Sequence, residues 1–472
     1  MKKFTLLLIC TWFTSFNLVA QFATVTKLES FPITTSTSEE SQSKVWSHAG
    51  KYWAVLTDSE GTFIWRLDGS TWTKNLKISV GEYARADCKV NNKYVHILLF
   101  RGDNATYLVS AEYNPVAQSY FLWEKTPDKV AIALDAGTNV ATLDIDSKGR
   151  MWVAYIAAGA TKVKWSDSPY ATWSSAITLG TGGKKDEKCS ILTIPALKKV
   201  AVLWSNQTTQ RFGLKTHSDG ADPNTWSDLE IPASQSAVNI GMGMADDHLD
   251  MVADKDGTLY CAAKTSYDTP GHPKLALLVR RPKGSWDNLY EVSPNGTRPI
   301  VILNEELGKL KVIYTSNEGG GTLLYREAIT SKLEFSQPYT LLEGQHNYIT
   351  TSKTNYSSEV LLLATNIASL NLQAVSFLAS DAPLQRELSI QASPNPFLIK
   401  ATVSFVLEKG GDYTISLYDC KGVIMGAPKV GNAEPGKVNT VEMDGSLLSA
   451  GLYLVRLRTK DEGATVRLLH EW

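Results

Sequence analysis

The chain has 472 residues, 43% hydrophobic and 20% charged, which excludes a disordered, collagenous or coiled-coil main state and leaves room for one large and one small domain. Lysine and arginine total 47 against 48 aspartate and glutamate, so no surplus of positive charge exists to hold nucleic acid. The 13 tryptophans are the unusual feature, and eleven of them fall between Trp46 and Trp286.

Residues 1–20, MKKFTLLLICTWFTSFNLVA, join basic Lys2 and Lys3 to an apolar run from Phe4 to Phe13 and end on small Ala20. That is the pattern of a secretory signal peptide, cut after Ala20 and too short to span a bilayer. A lipoprotein signal around Cys10 is the alternative, disfavoured because Ile9 stands where a small residue is usual. No later run reaches the roughly 18 apolar residues of a membrane span, so a secreted or surface protein without a transmembrane segment is expected. Loss of Lys2 and Lys3 leaves 45 basic against 48 acidic residues. Cys88, Cys189, Cys261 and Cys420 are too scattered for a disulfide framework and show no CxxC or histidine-rich spacing. Isolated buried thiols are expected rather than disulfides, no metal site is expected, and the sequence leaves any cofactor open.

Residues 23–33, ATVTKLESFPI, read as a lone strand. After it a unit recurs: strand, polar turn, strand, strand, and a fourth strand carrying an aromatic residue. The clearest copies start at Val140 (VATLDIDSKGRMWVAYI) and His248 (HLDMVADKDGTLYCAAK), each with an Asp-x-x-Gly turn, Asp146 to Gly149 and Asp254 to Gly257. Glycine there supplies the positive φ of a tight hairpin. Weaker copies begin near Lys44, Ala86, Ser190, Arg298 and Tyr348, so successive starts lie 42 to 58 residues apart. Four-stranded propeller blades repeat every 40–50 residues or so. The aromatic positions are Trp72, Trp123, Trp173, Trp226, Trp286 and Phe335. The seventh unit, residues 348–381, shows only ITTSKT, EVLLLAT and NLQAVSFLA. Residues 23–33 are expected to supply its fourth strand and remove an open sheet edge. The expected fold is all-β, a seven-bladed β-propeller over residues 21–381 followed by a small β-sandwich.

The stretches Ser166-Asp167-Ser168-Pro169-Tyr170-Ala171-Thr172-Trp173 and Asp68-Gly69-Ser70-Thr71-Trp72 resemble degenerate Asp-boxes of the sialidase-type propellers. In that family the boxes are peripheral and structural, so the resemblance speaks for fold. A sialidase itself is disfavoured, because the first unit has no Phe-Arg-Ile-Pro-like segment and three clamping arginines are not assignable.

In a propeller the inner-strand starts and the loops after the second strands share one face. Here the starts bring Trp46, Arg85, Asp87, Asn139, Lys188, Asp246, Asp247, His248, Arg298 and Tyr348. The loops add Arg101, Asp103, Asn206, Lys264, Tyr267, His272 and Glu318. The fifth unit is densest, and His248 and Lys264 are expected to meet across its first hairpin. A histidine beside a carboxylate suits proton transfer, whereas a structural reading has Asp247 and His248 tying one blade to the next. The segment is distantly similar to ulvan-lyase-type propellers, which implies β-elimination from a uronic acid. Under that resemblance His248 or Tyr267 is the base, and Lys264, Arg85 or Arg298 neutralises the carboxylate. Asp87, Asp247 and Trp46 complete the expected substrate-binding set, with Trp46 able to stack on a sugar ring. The family's second histidine is replaced by Lys264-Thr265.

Residues 388–472 form short strands split by glycine and proline, with a hairpin expected between residues 402–407 and 413–418 around Gly410-Gly411 and a further strand at residues 451–457. Pro394-Asn395-Pro396-Phe397, Ser416-Leu417-Tyr418-Asp419-Cys420-Lys421-Gly422 and Leu447 through Tyr453 make this segment resemble the C-terminal sorting domain of the Bacteroidetes type IX secretion system. The resemblance implies that the secretion machinery is a partner and that the segment is an address rather than a catalyst. It departs at the end, where Arg467 is the one permanent positive charge among residues 466–472. Together these features point to a polysaccharide-acting protein, either an enzyme, a lyase or a glycoside hydrolase, or a non-catalytic glycan-binding or protein-interaction propeller.

Overall fold

The computed structural model describes residues 21–37, 41–81, 85–101, 106–368, 372–381, 390–407, 410–435, 437–460 and 463–471. The expected signal peptide and Asp103 lie outside them. The chain divides into two compact units, Met1–Ala382 and Pro383–Trp472.

In the first unit the described residues are almost wholly antiparallel strand and turn, with a single 3-10 turn at Pro195–Leu197. Four-stranded meanders follow one another. The first is Val45–His48, Lys51–Asp58, Gly61–Asp68 and Thr71–Ser79, and the fifth is Leu249–Ala253, Leu259–Lys264, Leu275–Arg280 and Tyr290–Ser293. The fourth has three strands, Cys189–Ile194, Lys199–Asn206 and Arg211–Ser218, with a lone bridge from Leu214 to Glu230 standing for the outer one. The last two meanders form one eight-stranded sheet, because Tyr339–Thr350 pairs with Gly321–Ile329 through its first half and with Glu359–Asn366 through its second. Among the described residues these make seven meanders in chain order, arranged as in a β-propeller.

Packing explains why the middle strands read as unbroken apolar runs. Every residue of Met151–Ala157 and Leu259–Lys264 is buried, since each sheet is covered on both faces by its neighbours. A separate apolar cluster fills each gap between consecutive meanders, for example around Ile64 and Ile97 between the first two. The circuit closes where Trp65 and Leu67 of the first meander pack on Leu361 and Leu363 of the last. Thr24–Lys27 supplies the missing outer strand, pairing antiparallel from Thr24 opposite Ser380 to Lys27 opposite Phe377. The Trp72 indole then donates to the Ser376 hydroxyl at 2.9 Å, locking the first meander to the last.

Around the ring's axis each innermost strand has an edge without a strand partner, and its N–H groups still need acceptors. Buried or half-buried aspartates provide them. Asp87 accepts from Ser43 (2.8 Å) and Leu143 (2.7 Å), Asp144 from Thr193 (2.9 Å), and Asp250 from Val301 (3.0 Å). Lys353 and Lys89 pair with Asp87 and Asp144, each at 2.6 Å. The Asp-x-x-Gly turns close as expected, with the Gly257 N–H on the Asp254 carbonyl at 2.9 Å and a φ of +92° at Gly257.

The second unit has two sheets, one of Ile390–Ser393, Lys400–Val406 and Val438–Asp444, the other of Lys429–Ala433, Gly411–Tyr418, Gly451–Arg458 and Gly463–His470. They share a core containing Val403, Phe405, Ile415, Leu417, Val455 and Leu457. The expected hairpin between residues 402–407 and 413–418 is corrected: these strands belong to different sheets. Both alternate apolar residues toward one core, and that is satisfied as well by facing each other across it as by pairing.

Candidate functional site

The fifth and sixth meanders bring one polar cluster together. Asp246, Asp247 and His248 lead into the strand Leu249–Ala253, Lys264 ends Leu259–Lys264, and Thr297 and Arg298 open Thr297–Asn304. Glu318 lies between Lys309–Thr315 and Gly321–Ile329. Antiparallel connection puts all of these at the same end of their sheets, the end the sequence assigned. His248 and Lys264 meet across the hairpin, where the Lys264 N–H donates to the His248 carbonyl at 2.9 Å. Arg298 and Tyr348 have φ of +51° and +58°, each within a register shift at the start of an inner strand. These strained corners lay the Arg298 guanidinium 5.3 Å from the Tyr348 ring centroid.

Glu318 is the hub. Its Oε1 lies 2.5 Å from Lys264 Nζ, and its Oε2 lies 3.7 Å from Arg298 Nη1 and accepts from the Thr297 hydroxyl at 2.9 Å. Arg298 Nη1 also donates to the Glu318 carbonyl at 2.9 Å. On the other side Lys264 Nζ lies 3.4 Å from Asp246 Oδ1, while Asp246 Oδ2 accepts from Ser266 at 3.1 Å. His248 Nδ1 stands 3.5 Å from Asp247 Oδ1.

The charges sustain one another. Burial opposes the charge of Lys264, but Asp246 and Glu318 outweigh it and raise its pKa above the ordinary lysine value. Burial likewise opposes ionisation of Glu318, and the hydrogen bond and charge of Lys264 overcome this and lower its pKa. At Asp246 burial is again the opposing influence, outweighed by the Asp247 hydrogen bond and the Lys264 charge, so its pKa falls. Asp246, Asp247 and His248 offer ligand atoms within 4.8 Å of one another, a spacing open to a metal ion. The Lys264 ammonium beside Asp246 repels a cation there, so the arrangement suits an anionic or hydroxylated ligand better.

Of the residues chosen from sequence, the structure joins His248, Asp247, Lys264 and Arg298 and disperses the others. Trp46 is corrected: it is only 3% exposed, and its indole donates to the Tyr120 hydroxyl at 3.1 Å inside the core, so no face is open to a sugar. Tyr267 is corrected as a base: it is 3% exposed, and its hydroxyl accepts the Val238 N–H at 3.2 Å in the core between the fourth and fifth meanders. Asp87 is fully buried at the axis, tying three meanders together. Arg85 donates to the Asn139 carbonyl at 2.6 Å, linking the second and third meanders. Asp246 and Glu318 were visible as members of the face without a role. Ser266 and Thr297 had no signal beyond their places next to Lys264 and Arg298.

Cys88, Cys189 and Cys261 are buried free thiols, and Cys420 is an exposed one. No helix among the described residues is long and apolar enough to cross a membrane.

No family model matches the chain, and no curated protein matches it. Solved structures do. A protein of unknown function from Dyadobacter fermentans shares 11% identity at a TM-score of 0.44, covering 75% of this chain and 99% of its own. Trypanosoma rangeli sialidase in complex with the inhibitor DANA shares 10% identity at a TM-score of 0.41, covering 94% and 89%. Penicillium chrysogenum alpha-L-arabinanase complexed with arabinobiose shares 11% identity at a TM-score of 0.38, covering 61% and 94%.

Proposed function

We propose that this propeller engages an acidic polysaccharide, with the mouth of the fifth and sixth meanders receiving a uronate carboxylate and supporting cleavage by β-elimination. The observation that carries the reading is the convergence of two cations, Lys264 and Arg298, on one carboxylate with His248 alongside. Neutralising a uronate carboxylate in this way acidifies the C5 proton. His248 takes that proton, the C–H electron pair becomes the C4–C5 double bond, and the C4–O bond breaks. The leaving oxygen recovers a proton from the histidinium, so no net charge or redox change accumulates. Asp247 orients the imidazole.

Binding without cleavage is the second reading. It is favoured by the 6% exposure of His248 and by the burial of Tyr267, which leaves no second base among the residues chosen. The test is incubation with a panel of acidic polysaccharides while following unsaturated ends near 235 nm. New ends with the wild type and none with His248→Ala support the lyase; retention on the same glycans without new ends supports the binding module. Neither cleavage nor retention would refute both.

We also propose export by residues 1–20 and type IX secretion addressed by the second unit. The support is the signal pattern and the sorting-domain motifs, carried on a unit with its own core. Deleting residues 383–472 is expected to abolish release from the native cell; undiminished release would overturn this.

A further inference from the structure

Among the described residues of the first unit, Glu318 differs from every other carboxylate in the charged networks that also hold a buried lysine. Its side chain is 60% exposed while its partner Lys264 is 9% exposed, so one end of the pair is fixed and the other faces solvent. It stands at the tip of Ser316-Asn317-Glu318-Gly319-Gly320-Gly321. The loop base is pinned by the Ser316 N–H on the Thr322 carbonyl at 3.0 Å and the Gly320 N–H on the Asn317 carbonyl at 3.0 Å. Apart from its chain neighbours, no heavy atom lies within 4 Å of a Cβ placed at Gly319, so the flank of the tip is open. Glu318 can therefore swing out by rotating its own side-chain bonds while the loop base stays fixed.

The partners it would leave behind are those a ligand carboxylate needs: the Lys264 ammonium, the Arg298 guanidinium and the Thr297 hydroxyl. Exchange of one carboxylate for another is neutral in charge. Lys264 keeps Asp246 at 3.4 Å throughout, and no buried cation is stranded. A neutral sugar cannot complete this exchange, because its hydroxyl groups bring no charge to replace the one removed.

We propose that Glu318 is an internal stand-in for the ligand's carboxylate, occupying the Lys264–Arg298 clamp in the free protein and yielding it to an acidic sugar. It is a specificity-determining residue: it sets the threshold a ligand must exceed and excludes uncharged glycans. This rests on the acidic-sugar reading of the mouth given above.

The test is calorimetric titration of full-length wild type, Glu318→Gln and Glu318→Ala with trisaccharides of galacturonate, glucuronate or mannuronate, with maltotriose as the uncharged control. Melting curves verify that each variant is folded. Removing the competing charge is expected to tighten acidic-sugar binding on the order of fivefold, the scale of a partly exposed ion pair. Maltotriose binding should not improve. Tighter binding by the variants, or binding that only the variants show, supports the stand-in. Wild-type binding that is unchanged or weakened in both folded variants overturns it and leaves the acidic site standing. If neither wild type nor variants bind any uronate, the acidic-sugar reading falls, and the stand-in falls with it.

Discussion

Asp87 offers the sharpest test of how the ring is held. The carboxylate is fully buried and accepts three donors: the Ser43 N–H at 2.8 Å, the Leu143 N–H at 2.7 Å and Lys353 Nζ at 2.6 Å. Burial pushes its pKa up, while the Lys353 charge and those hydrogen bonds pull the other way. Asp87→Ala leaves the Lys353 ammonium, whose side chain is 10% exposed, with the Leu143 carbonyl as its remaining partner in this network. Breaking a buried pair from one side costs about 3–5 kcal/mol, and two amides lose their acceptor besides. Taking about 4 kcal/mol, and an unfolding entropy of about 2 cal/mol/K per residue over a unit of this length, Tm should fall by about 5 °C. Lys353→Met should cost a similar amount. The double variant Asp87→Ala/Lys353→Met should recover about 2–3 kcal/mol relative to additivity, because no unpaired charge remains. Calorimetry and urea titration of the four proteins measure the cycle. A Tm shift below about 1 °C for Asp87→Ala, or additive single changes, would refute the claim that the axis depends on this pair.

Burial pushes the Asp250 carboxyl up to about 7, against the Val301 and Met251 N–H groups that favour its charge. The folded state therefore binds the proton more tightly than the unfolded chain, whose reference value is about 3.9; the stability this adds is complete below about pH 4 and lost as pH rises through 7. Asp250→Asn should accordingly gain a few kcal/mol relative to wild type between pH 4 and pH 8, since each tenfold difference in proton affinity between the two states is worth about 1.4 kcal/mol, and a pH-independent difference in urea titrations would contradict this. Trp46→Ala should destabilise by about 3–5 kcal/mol in denaturation curves while leaving glycan retention per folded molecule unchanged; selective loss of retention would return Trp46 to the binding site. Gly257→Ala should cost more than Gly149→Ala in melting experiments. Both have positive φ, but a Cβ at Gly257 meets Leu197 Cγ at 2.7 Å whereas Gly149 faces open space.

The ring was legible because its repeat is written in local chemistry. Asp146 to Gly149 and Asp254 to Gly257 mark equivalent turns, and the three-stranded last unit calls for residues near Thr24. Depth along the axis was not legible. Trp46, Asp87 and His248 all sit near inner-strand starts, yet Trp46 packs sideways into a neighbouring sheet and Asp87 lies at the axis. Those differences depend on how far one sheet is rotated on the next, which no period in the sequence encodes. The paired role of Asp246 and Glu318 was hidden for a related reason, since they are 72 positions apart and are joined through Lys264. The misassigned hairpin in the second unit shows the same limit, because alternation specifies which side faces the core and leaves the strand partner open.

Exposure separates two kinds of lysine–carboxylate pair in this molecule. Lys353 with Asp87 is 10% and 0% exposed, and Lys311 with Glu327 and Asp381 is at most 1% exposed throughout. In such pairs neither partner can leave without stranding the other's charge in a medium that solvates it poorly, so they fasten the ring and are unavailable to a ligand. Lys264 with Glu318 is 9% and 60% exposed. Here the cation is held by the fold and by Asp246, while the anion can pass into water at little cost. Among the described lysine–carboxylate pairs that hold a buried lysine, Lys264 with Glu318 is the one whose anion stands in solvent, and that asymmetry is what the proposed exchange requires.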